Sequence, residues 1–348
     1  MTARQAPGAT PAVTPVEIGG RAFELRDLAP EDGAELRRLH VDVFGDGADA
    51  AWYDWKYRRG GGLGSGMWHE GRLIAHCGGV PRALHVEGER RGGIQIGDVM
   101  VATAWRGVLT RRGPFFHVSD AFYRAHVGEG TPHAIAFGFP SERHLRLAVK
   151  TGLLHDGGPV QGLSWMVPSA LPDPATTDLP WTWRWVPLDA GSPEFDRSIE
   201  QAWDTMSRAT REFVVGERTP AYVRWRFFER PARSSRAFVL RRAWSRRARG
   251  VAILDLASDP ADAKWLDWIG DPADAPLACR ASLAEAARAK ATSLSAWATT
   301  AVTQSLRDTG MAAPTVTAWL GIPCRSALDA ADVPRLRWWL MGGDTDFL

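Results

Sequence analysis

The sequence DVMVATAWRGVLTRRGPFF, residues 98–116, decides the fold because a β-like apolar run, a basic loop and a helix start follow one another in it. The apolar run ends at Val101, and the segment from Pro114 onward reads as a helix. Backbone N–H groups at a helix start, the positive end of the helix dipole and fixed guanidinium charges together suit a pyrophosphate. A solvated basic turn is the alternative, since loops of glycine and arginine are common. The cations and glycines of the loop are Arg106, Gly107, Arg111, Arg112 and Gly113.

A second segment, FGFPSERHLRLAVKTGL at residues 137–153, favours the phosphate-site interpretation. It reads as an apolar strand that breaks at Pro140 into a short helix, and this helix stops at Gly152. The two segments together therefore give the order strand, basic loop, helix, strand and helix. Two linked patterns in this order are more specific than either pattern alone.

The two segments resemble the acyl-CoA site of the GNAT acyltransferase superfamily. In that family the chain runs through a strand, a V-x-P-x-Y-R-G-x-G-x-G/A loop, a helix, a second strand and an N-x-R-A-x-R-L-Y-x-K-x-G-F segment. The resemblance implies an acyl-CoA site that includes Ser141, near the pantetheine or diphosphate, and transfer of the acyl group directly to an amine. Residues on the first motif are Val101, Trp105, Arg106 and Gly107, and residues on the second are Ser141, Arg143, Arg146, Leu147, Lys150 and Gly152.

The sequence departs from the family pattern in the loop and in the second helix. The residues VLTRR between Gly107 and Gly113 are more than the family loop usually has, and Pro114 replaces its usual close-approach residue. Ala148 stands where many members carry a tyrosine that protonates the departing CoA thiolate. The resemblance therefore implies a changed loop geometry and a general acid that is either missing or elsewhere.

Acyl transfer to an amine makes demands that can be stated without the family. The site needs a proton acceptor for the ammonium group, donors for the oxyanion, and protonation or solvation of the thiolate. A strand that splays from its neighbour leaves backbone N–H groups available to the thioester carbonyl. Val99, Met100 and Val101 are the candidates for that wall of the site.

Two residues are candidates for the proton acceptor. Asp98 lies inside the apolar strand IGDVMV, where burial favours the protonated acid; the alternative is a carboxylate that accepts hydrogen bonds and fixes a turn. His144 lies one helical turn before Ala148, and imidazole suits proton transfer near neutral pH; the alternative is an exposed helix histidine. Packing or surface roles are expected for other residues near the loop, namely Tyr123, His117 and His126.

The sequence contains an internal echo that predicts two similar units. AWYDWKY at residues 51–57 is matched by AYVRWRF at residues 221–227, and Thr151-Gly152 is matched by Thr309-Gly310. We predict two GNAT-like units in tandem, with a chance similarity of two α/β halves as the alternative. The predicted division is a flexible lead-in over residues 1–20, an acyl-CoA-binding domain over 21–170 and a second, degenerate domain over 181–348.

The second unit is predicted to have lost cofactor binding. Its counterpart of the basic loop reads WIGDPADAPLA, which is acidic and broken by proline, and it would repel a pyrophosphate. We expect this unit to cover the first one and to shape the acceptor pocket, with its many tryptophans serving mainly in packing. In the C-terminal tail, Asp344 or Asp346 either holds an ammonium acceptor or belongs to a solvated tail.

The basic run RRAWSRRARG, residues 241–250, has two interpretations. Arginines around Trp244 suit a nucleic-acid patch with a stacking side chain, and they equally suit a charged turn between two strands. The first interpretation keeps open a resemblance to the Fem-type ligases, which transfer amino acids from aminoacyl-tRNA and also carry tandem GNAT-like folds.

Composition bounds the remaining choices. The 348 residues suit two domains, and the net charge of +2 gives no argument for a nucleic-acid or membrane partner. Cys77, Cys279 and Cys324 are odd in number and widely spaced, which disfavours disulfides and structural zinc and fits a reducing cytosol. No apolar run approaches the roughly 20 residues that a membrane span needs, and the N-terminal residues lack the apolar core of a signal peptide.

The sequence thus predicts a cytoplasmic protein of the α/β class with a mixed α+β sheet. It predicts two tandem GNAT-like domains, each with a central, mostly antiparallel twisted sheet flanked by helices. We expect acetyl-CoA or another acyl-CoA as co-substrate, no metal, and a small-molecule or sugar amine as acceptor. The alternatives are a Fem-like transferase with a tRNA or carrier-protein donor, and a non-catalytic acyl-CoA-binding or scaffold protein.

Overall fold

The computed structural model describes residues 12–45, 48–106, 112–167, 179–257, 259, 261–328 and 330–345. Within these ranges the chain forms a mixed α/β fold built on one sheet of 15 strands with helices packed against it. None of the helices in these ranges has the length and apolar character needed to cross a membrane.

The N-terminal half of the fold extends from β1 to β7. Its elements in chain order are β1 (Thr14–Ile18), β2 (Arg21–Asp27), α1 (Gly33–Phe44), α2 (Ala50–Tyr53) with the π-helical turn Asp54–Arg59, β3 (Leu63–His69), β4 (Arg72–Val86), β5 (Glu89–Val101), α3 (Pro114–His126), β6 (Ile135–Gly138), α4 (Glu142–Lys150) and β7 (Leu154–Met166).

The predicted lead-in, residues 1–20, contains a strand in the structure. β1 pairs antiparallel with β2 from Thr14↔Leu25 to Ile18↔Arg21. Gly19 and Gly20 make this hairpin because both have positive φ values, 60° and 77°, as a tight two-residue turn requires. The Gly-Gly pair was therefore a turn signal, and flexibility was the wrong expectation for Thr14–Ile18.

The C-terminal half extends from β8 to β15, and from β8 to β14 it repeats the element order of β2 to β7 with β9 inserted. Its elements are β8 (Trp183–Leu188), α5 (Pro193–Ala209), β9 (Phe213–Gly216), α6 (Pro220–Val223) with the π-helical turn Arg224–Phe228, β10 (Ser235–Arg242), β11 (Ala248–Asp255), β12 (Asp262–Gly270), α7 (Ala275–Arg288), β13 (Ser293–Thr299), α8 (Thr300–Ser305), β14 (Thr315–Pro323) and β15 (Arg337–Trp339).

The two halves share a single sheet because each contributes its last long strand to the other. The strand order is β1-β2-β3-β4-β5-β6-β14-β7-β13-β12-β11-β10-β8, so β14 lies next to β6 and β7 lies next to β13. β7 and β13 pair from Ser293↔Met166 to Thr299↔Val160. Among the described pairs, only β5–β6, β12–β13 and β9–β15 are parallel, which agrees with the predicted, mostly antiparallel sheet.

Tryptophan side chains fill much of the core, as expected. The fully buried ones include Trp165 of β7, Trp265 and Trp268 of β12, and Trp339 of β15. Large aromatic groups suit the space between sheet and helices because each buries much apolar area. Trp181 and Trp244 are the exceptions, with 80% and 69% of their surface exposed.

A C-terminal segment, residues 337–345, occupies the place where β12 and β13 diverge. These strands pair only from Asp262↔Ser293 to Lys264↔Ser295. Further along β13, Thr299 donates its backbone N–H to the Leu340 carbonyl at 3.0 Å, and Ala298 forms a bridge with Met341. Residues 337–345 thus fill the gap between β12 and β13 in the C-terminal half.

Asp344 anchors this segment inside the protein. Its carboxylate accepts hydrogen bonds from Arg82 at 3.0 Å and from Arg218 at 2.7 Å, and Arg218 also binds Asp267 at 2.9 Å. The solvated tail expected at Asp344 is therefore wrong, since two guanidinium groups neutralise the buried carboxylate. Asp346 lies outside the described residues.

We predict that Asp344→Ala lowers the free energy of unfolding by about 3–5 kcal/mol, because removal of one partner leaves buried guanidinium charge uncompensated. Urea unfolding of the full chain measures this change. Glu212→Ala is the matched control, because its ion pair with Arg337 is exposed and should contribute no more than about 1 kcal/mol. Equal losses for the two variants would contradict the anchoring role of Asp344.

Candidate active site

The candidate site lies where β5 and β6 separate. The two strands pair in parallel from Gly93↔Ile135 to Ile96↔Gly138, where β6 ends while β5 continues to Val101. On its other edge β5 stays paired with β4 as far as Ala75↔Val101. A cleft therefore opens between the end of β5 and the segment that leads from β6 into α4.

This cleft holds a cavity of about 280 Å³. Its walls are mainly apolar, and Gly321 of β14 contributes to them from the C-terminal half. Four residues predicted for the site lie on the wall of the cavity, namely Asp98, Val99, Ser141 and His144. Aromatic and aliphatic walls come from Phe44, Ile96, Phe115, Phe139 and Leu154.

A β-bulge lies in the stretch of β5 that lines this cavity, residues 96–99, and explains why both Asp98 and Val99 border it. The register with β4 shifts between Gly78↔Gly97 and His76↔Met100, so that Asp98 and Val99 lie opposite Cys77 alone. Asp98 has a φ of 51°, a left-handed conformation that aspartate tolerates better than most residues with a side chain. Regular alternation would direct these two side chains to opposite faces of the sheet.

Asp98 is a buried carboxylate with two side-chain partners on one oxygen. Oδ2 lies 2.7 Å from Nζ of Lys56 and accepts a hydrogen bond from the Tyr57 hydroxyl at 2.6 Å. Asp98 is therefore not an isolated acid, since an ammonium group and a hydroxyl group both contact Oδ2, and its role as the base stays a prediction. Oδ1 has no hydrogen-bond partner in the described part of the chain, and the residue lines the cavity.

Lys56 and Tyr57 are the contacts of Asp98 that sequence reasoning missed. The repeat drew attention to residues 51–57 without linking them to Asp98, since the two segments are far apart along the chain. The signal was a lysine inside an otherwise aromatic run, AWYDWKY, because a lysine buried among aromatic rings requires an acidic partner.

His144 lies at the other side of the cavity, in the first turn of α4. Its ring stacks on Phe115 with centroids 5.9 Å apart, and its backbone N–H donates to Oγ of Ser141, the N-cap, at 3.5 Å. Partial burial lowers the pKa of His144, and the positive charges of Arg143 and Arg106 lower it further. The imidazole is therefore neutral at pH 7 and able to accept a proton.

The loop before α3 is described only in part. Gly107 and Arg111 lie outside the described residues, so their predicted phosphate contacts stay predictions. Arg106 Nε donates to the Val101 carbonyl at 2.9 Å, and the Arg112 guanidinium lies 4.8 Å from the centre of the Phe116 ring. Gly113 is the N-cap of α3 and has no side chain to satisfy the first N–H groups of the helix.

The wall predicted from residues 99–101 is divided between two faces of the sheet. Val99 lines the cavity, whereas Met100 is buried in a separate cluster that includes Leu36 and Leu39 of α1. Val101 packs against the cluster that contains the residues of α3. Val99 is therefore the side chain of this trio that borders the cavity, because the alternation of the strand resumes after the bulge.

Tyr123 packs in the core, as expected, and also borders the cavity. The side chain is buried on α3 and lines the cavity. Burial raises the pKa of Tyr123 well above its usual value of 10, so its hydroxyl stays protonated. Ala148, at the position of the missing family tyrosine, is buried in the same apolar cluster as Tyr123.

The basic run at residues 241–250 forms the β10–β11 hairpin, and three of its five arginines form ion pairs. Arg241 pairs with Glu194, Arg247 with Asp204, and Arg249 with Asp274. This pattern matches the charged-turn interpretation, since neighbouring carboxylates neutralise these guanidinium groups.

We predict that His76 makes folding sensitive to acid. His76 is buried behind the bulge, where its Nδ1–H donates to the Asp98 carbonyl at 2.7 Å, and burial lowers its pKa to about 4. The folded state therefore resists protonation, and the stability that His76 contributes is lost as pH falls from about 6.5 to about 4, by roughly 3 kcal/mol. Urea unfolding at pH 7 and pH 4.5 should show a smaller pH effect in His76→Asn than in the wild type. The same effect in both proteins would contradict this assignment.

No protein-family model and no curated protein matches the sequence. A conserved protein of unknown function from Enterococcus faecalis V583, described as a probable N-acyltransferase, superposes with a TM-score of 0.62 at 10% identity, over 86% of this chain and 72% of that chain.

Two further solved structures show the same similarity. A GCN5-related N-acetyltransferase from Kribbella flavida gives a TM-score of 0.59 at 15% identity, over 86% of this chain and 70% of that chain. N-myristoyltransferase of Saccharomyces cerevisiae with bound myristoyl-CoA gives 0.53 at 11% identity, over 91% of this chain and 84% of that chain. The chain therefore has the GNAT fold, as its motifs predicted.

Proposed function

We propose that the protein is an acyl-CoA-dependent N-acyltransferase whose donor site is the cleft between β5 and β6. The observation that carries this proposal is the juxtaposition, around one apolar cavity, of Asp98, His144 and a splayed strand edge. An apolar cleft with a few convergent polar groups is the usual form of a small-molecule site. GNAT-fold neighbours that bind acyl-CoA support the same assignment.

Donor binding in this proposal uses backbone groups and the start of α3. The pantetheine arm lies along the end of β5 at Val99, whose side of the strand has no β6 partner. The pyrophosphate lies at Gly113, where uncapped N–H groups and the helix dipole favour an anion. Arg106 and Arg112 supply positive charge there, and we place Gly107 and Arg111 in the same loop.

Proton transfer in this proposal runs through Asp98. The acceptor binds as an ammonium ion, Oδ1 of Asp98 takes its proton, and the amine nitrogen then attacks the thioester carbonyl. The C–N bond forms as the C–S bond breaks, and the Tyr123 hydroxyl gives its proton to the leaving thiolate. The second proton of the attacking nitrogen then passes to the tyrosinate, and the proton on Asp98 passes to solvent. His144, neutral at pH 7, is the alternative base.

The acyl group and the acceptor are proposed only by class. The apolar wall formed by Phe115, Phe139 and Leu154 accepts an acetyl group or a longer aliphatic chain. The acceptor in this proposal is an amine of a small molecule or sugar that enters beside Phe44, whose side chain is 47% exposed and also lines the cavity.

We propose that the two halves of the fold are tandem units and that the donor site belongs to the N-terminal half. In the C-terminal half, residues 337–345 occupy the space that corresponds to the cleft. In the acidic segment of that half, Asp274 binds Arg249 at 3.1 Å. The carboxylates of this segment would repel a phosphate. A non-catalytic acyl-CoA-binding protein is the second candidate, and Ala148 in place of the family tyrosine favours it.

We predict that acetyl-CoA or a longer acyl-CoA at about 100 times its Kd raises the free energy of unfolding by about 2.7 kcal/mol. Val99→Phe should abolish this stabilisation because the larger ring projects into the cavity at the place proposed for the pantetheine arm. Val316→Phe on β14 is the matched control, since that valine is 57% exposed and lies outside the cavity lining. Ligand-dependent unfolding measures both variants, and the absence of stabilisation by any CoA ester would sink the proposal.

We predict that Asp98→Asn lowers kcat by about 10²–10⁴-fold while acyl-CoA still stabilises the variant, because an amide has no basic oxygen for the ammonium proton. Release of free thiol in the presence of an amine panel measures turnover. Asp120→Asn is the control, since that carboxylate pairs with Arg124 on the surface of α3. Full activity of Asp98→Asn together with an inactive His144→Gln would show that His144, rather than Asp98, is the base. Binding of acyl-CoA without turnover in the wild type would favour the non-catalytic candidate.

A further inference from the structure

The π-helical turn Asp54–Arg59 brings two consecutive side chains to one carboxylate oxygen. Both Nζ of Lys56 and the hydroxyl of Tyr57 contact Oδ2 of Asp98, at 2.7 Å and 2.6 Å. Neighbouring residues in a regular helix point about 100° apart, so this convergence depends on the wider turn and on the length of the two side chains. Turns of π-helix inside α-helices are frequent at functional sites.

The same turn is fixed from the opposite side by the C-terminal half. Trp55 stacks on Trp225 with ring centroids 5.1 Å apart and an angle of 15° between the rings. Trp55 Nε1 donates to the Trp225 carbonyl at 2.7 Å, and Trp225 Nε1 donates to the Trp55 carbonyl at 2.8 Å. Trp225 itself lies in the matching π-helical turn Arg224–Phe228, so the contact joins equivalent positions of the two halves.

The turns are capped and packed in the same way. Asp49 accepts from the Trp52 N–H and Thr219 accepts from the Tyr222 N–H, which fixes the start of each short helix. Between the two turns, a cavity of about 10 Å³ has room for about one water molecule. The reciprocal contact of Trp55 and Trp225 is thus closely packed and leaves little freedom for the turn that carries Lys56.

Lys56 supplies the charge that faces Asp98 at working pH. From β4, the side chains that face Asp98 are His76, neutral because burial lowers its pKa to about 4, and Cys77, a neutral thiol because burial raises its pKa to about 12. From α1, His40 belongs to the same group of interacting side chains. Lys56 is 1% exposed, and its ammonium is the cation in the described part of the chain that bonds to Asp98.

We propose that Lys56 and Tyr57 are positioning residues that hold Asp98 as an ionised base with Oδ1 directed to the cavity, and that the C-terminal half sets their position through the Trp55–Trp225 contact. The inference rests on the proposed acyl transfer and deepens it. It gives the C-terminal half a defined part in the chemistry of the N-terminal half.

The first test is the pH dependence of kcat/KM in Lys56→Met. Methionine keeps the apolar stem but removes the charge, so the protonated form of Asp98 is favoured relative to the ionised form. The acidic limb of the pH profile should therefore move to higher pH by about one unit or more. Tyr57→Phe should move the acidic limb in the same direction by a smaller amount. Lys56→Arg keeps the positive charge and should leave the acidic limb at the wild-type pH. Arg58→Met in the same turn is the matched control, because that side chain is exposed and its limb should not move.

The second test removes the contact between the halves. Trp225→Ala should lower kcat/KM at least tenfold and move the acidic limb, whereas Trp225→Phe keeps the ring but loses the N–H donor and should have a smaller effect. Trp244→Ala is the control, since that tryptophan is exposed and lies in the β10–β11 hairpin. Acyl-CoA-dependent stabilisation shows in each case that the variant is folded and binds its donor.

The carboxyl ¹³C resonance of Asp98, assigned by its loss in Asp98→Asn, gives the same comparison without turnover. If the wild type transfers no acyl group yet this resonance titrates at higher pH in Lys56→Met, the proposed function fails and the positioning role stands. An unchanged limb and an unchanged titration in folded Lys56→Met would overturn the inference. Unchanged profiles for Trp225→Ala would overturn the part assigned to the C-terminal half.

Discussion

Every feature of the candidate site depends on where the parallel ladder between β5 and β6 stops. Pairing ends at Ile96↔Gly138, while β4 holds the other edge of β5 for several residues more. The free edge, the bulge at Asp98 and the start of α4 then surround one cavity. A longer ladder would close the cleft and turn the same side chains into ordinary core residues. The chemistry proposed here therefore follows from the end of one strand pairing.

Two strands diverge in each half, and the gap that they leave differs between the halves. In the N-terminal half the space stays open and is bordered by Asp98 and His144, whereas in the C-terminal half residues 337–345 enter it and are held by Asp344. The exchange of β7 and β14 makes these two environments parts of one sheet. One half can therefore support the other, and the contact between Trp55 and Trp225 joins the C-terminal half to the turn that carries Lys56.

Sequence reasoning predicted the elements around the candidate site that follow one another in the chain. The strand, the loop, α3 and α4 follow one another in the chain, and turn and capping residues such as Gly113 and Ser141 mark their limits. It missed the partners of Asp98, because Lys56 meets Asp98 only after β3, β4 and β5 have folded between them. It also misjudged Asp344, whose burial depends on arginines from two distant segments. Local pattern predicts elements well, while ion pairing across the fold depends on packing that no single segment encodes.

A crystal structure of the full chain with bound coenzyme A would show directly where the donor binds. We expect a pantetheine arm between the end of β5 and residues 139–141, with the pyrophosphate at the start of α3 beside Gly113. We also expect that no coenzyme lies between β12 and β13, where the C-terminal segment is seated. Coenzyme A bound in the C-terminal half, or elsewhere on the surface with the β5–β6 cleft empty, would contradict the account.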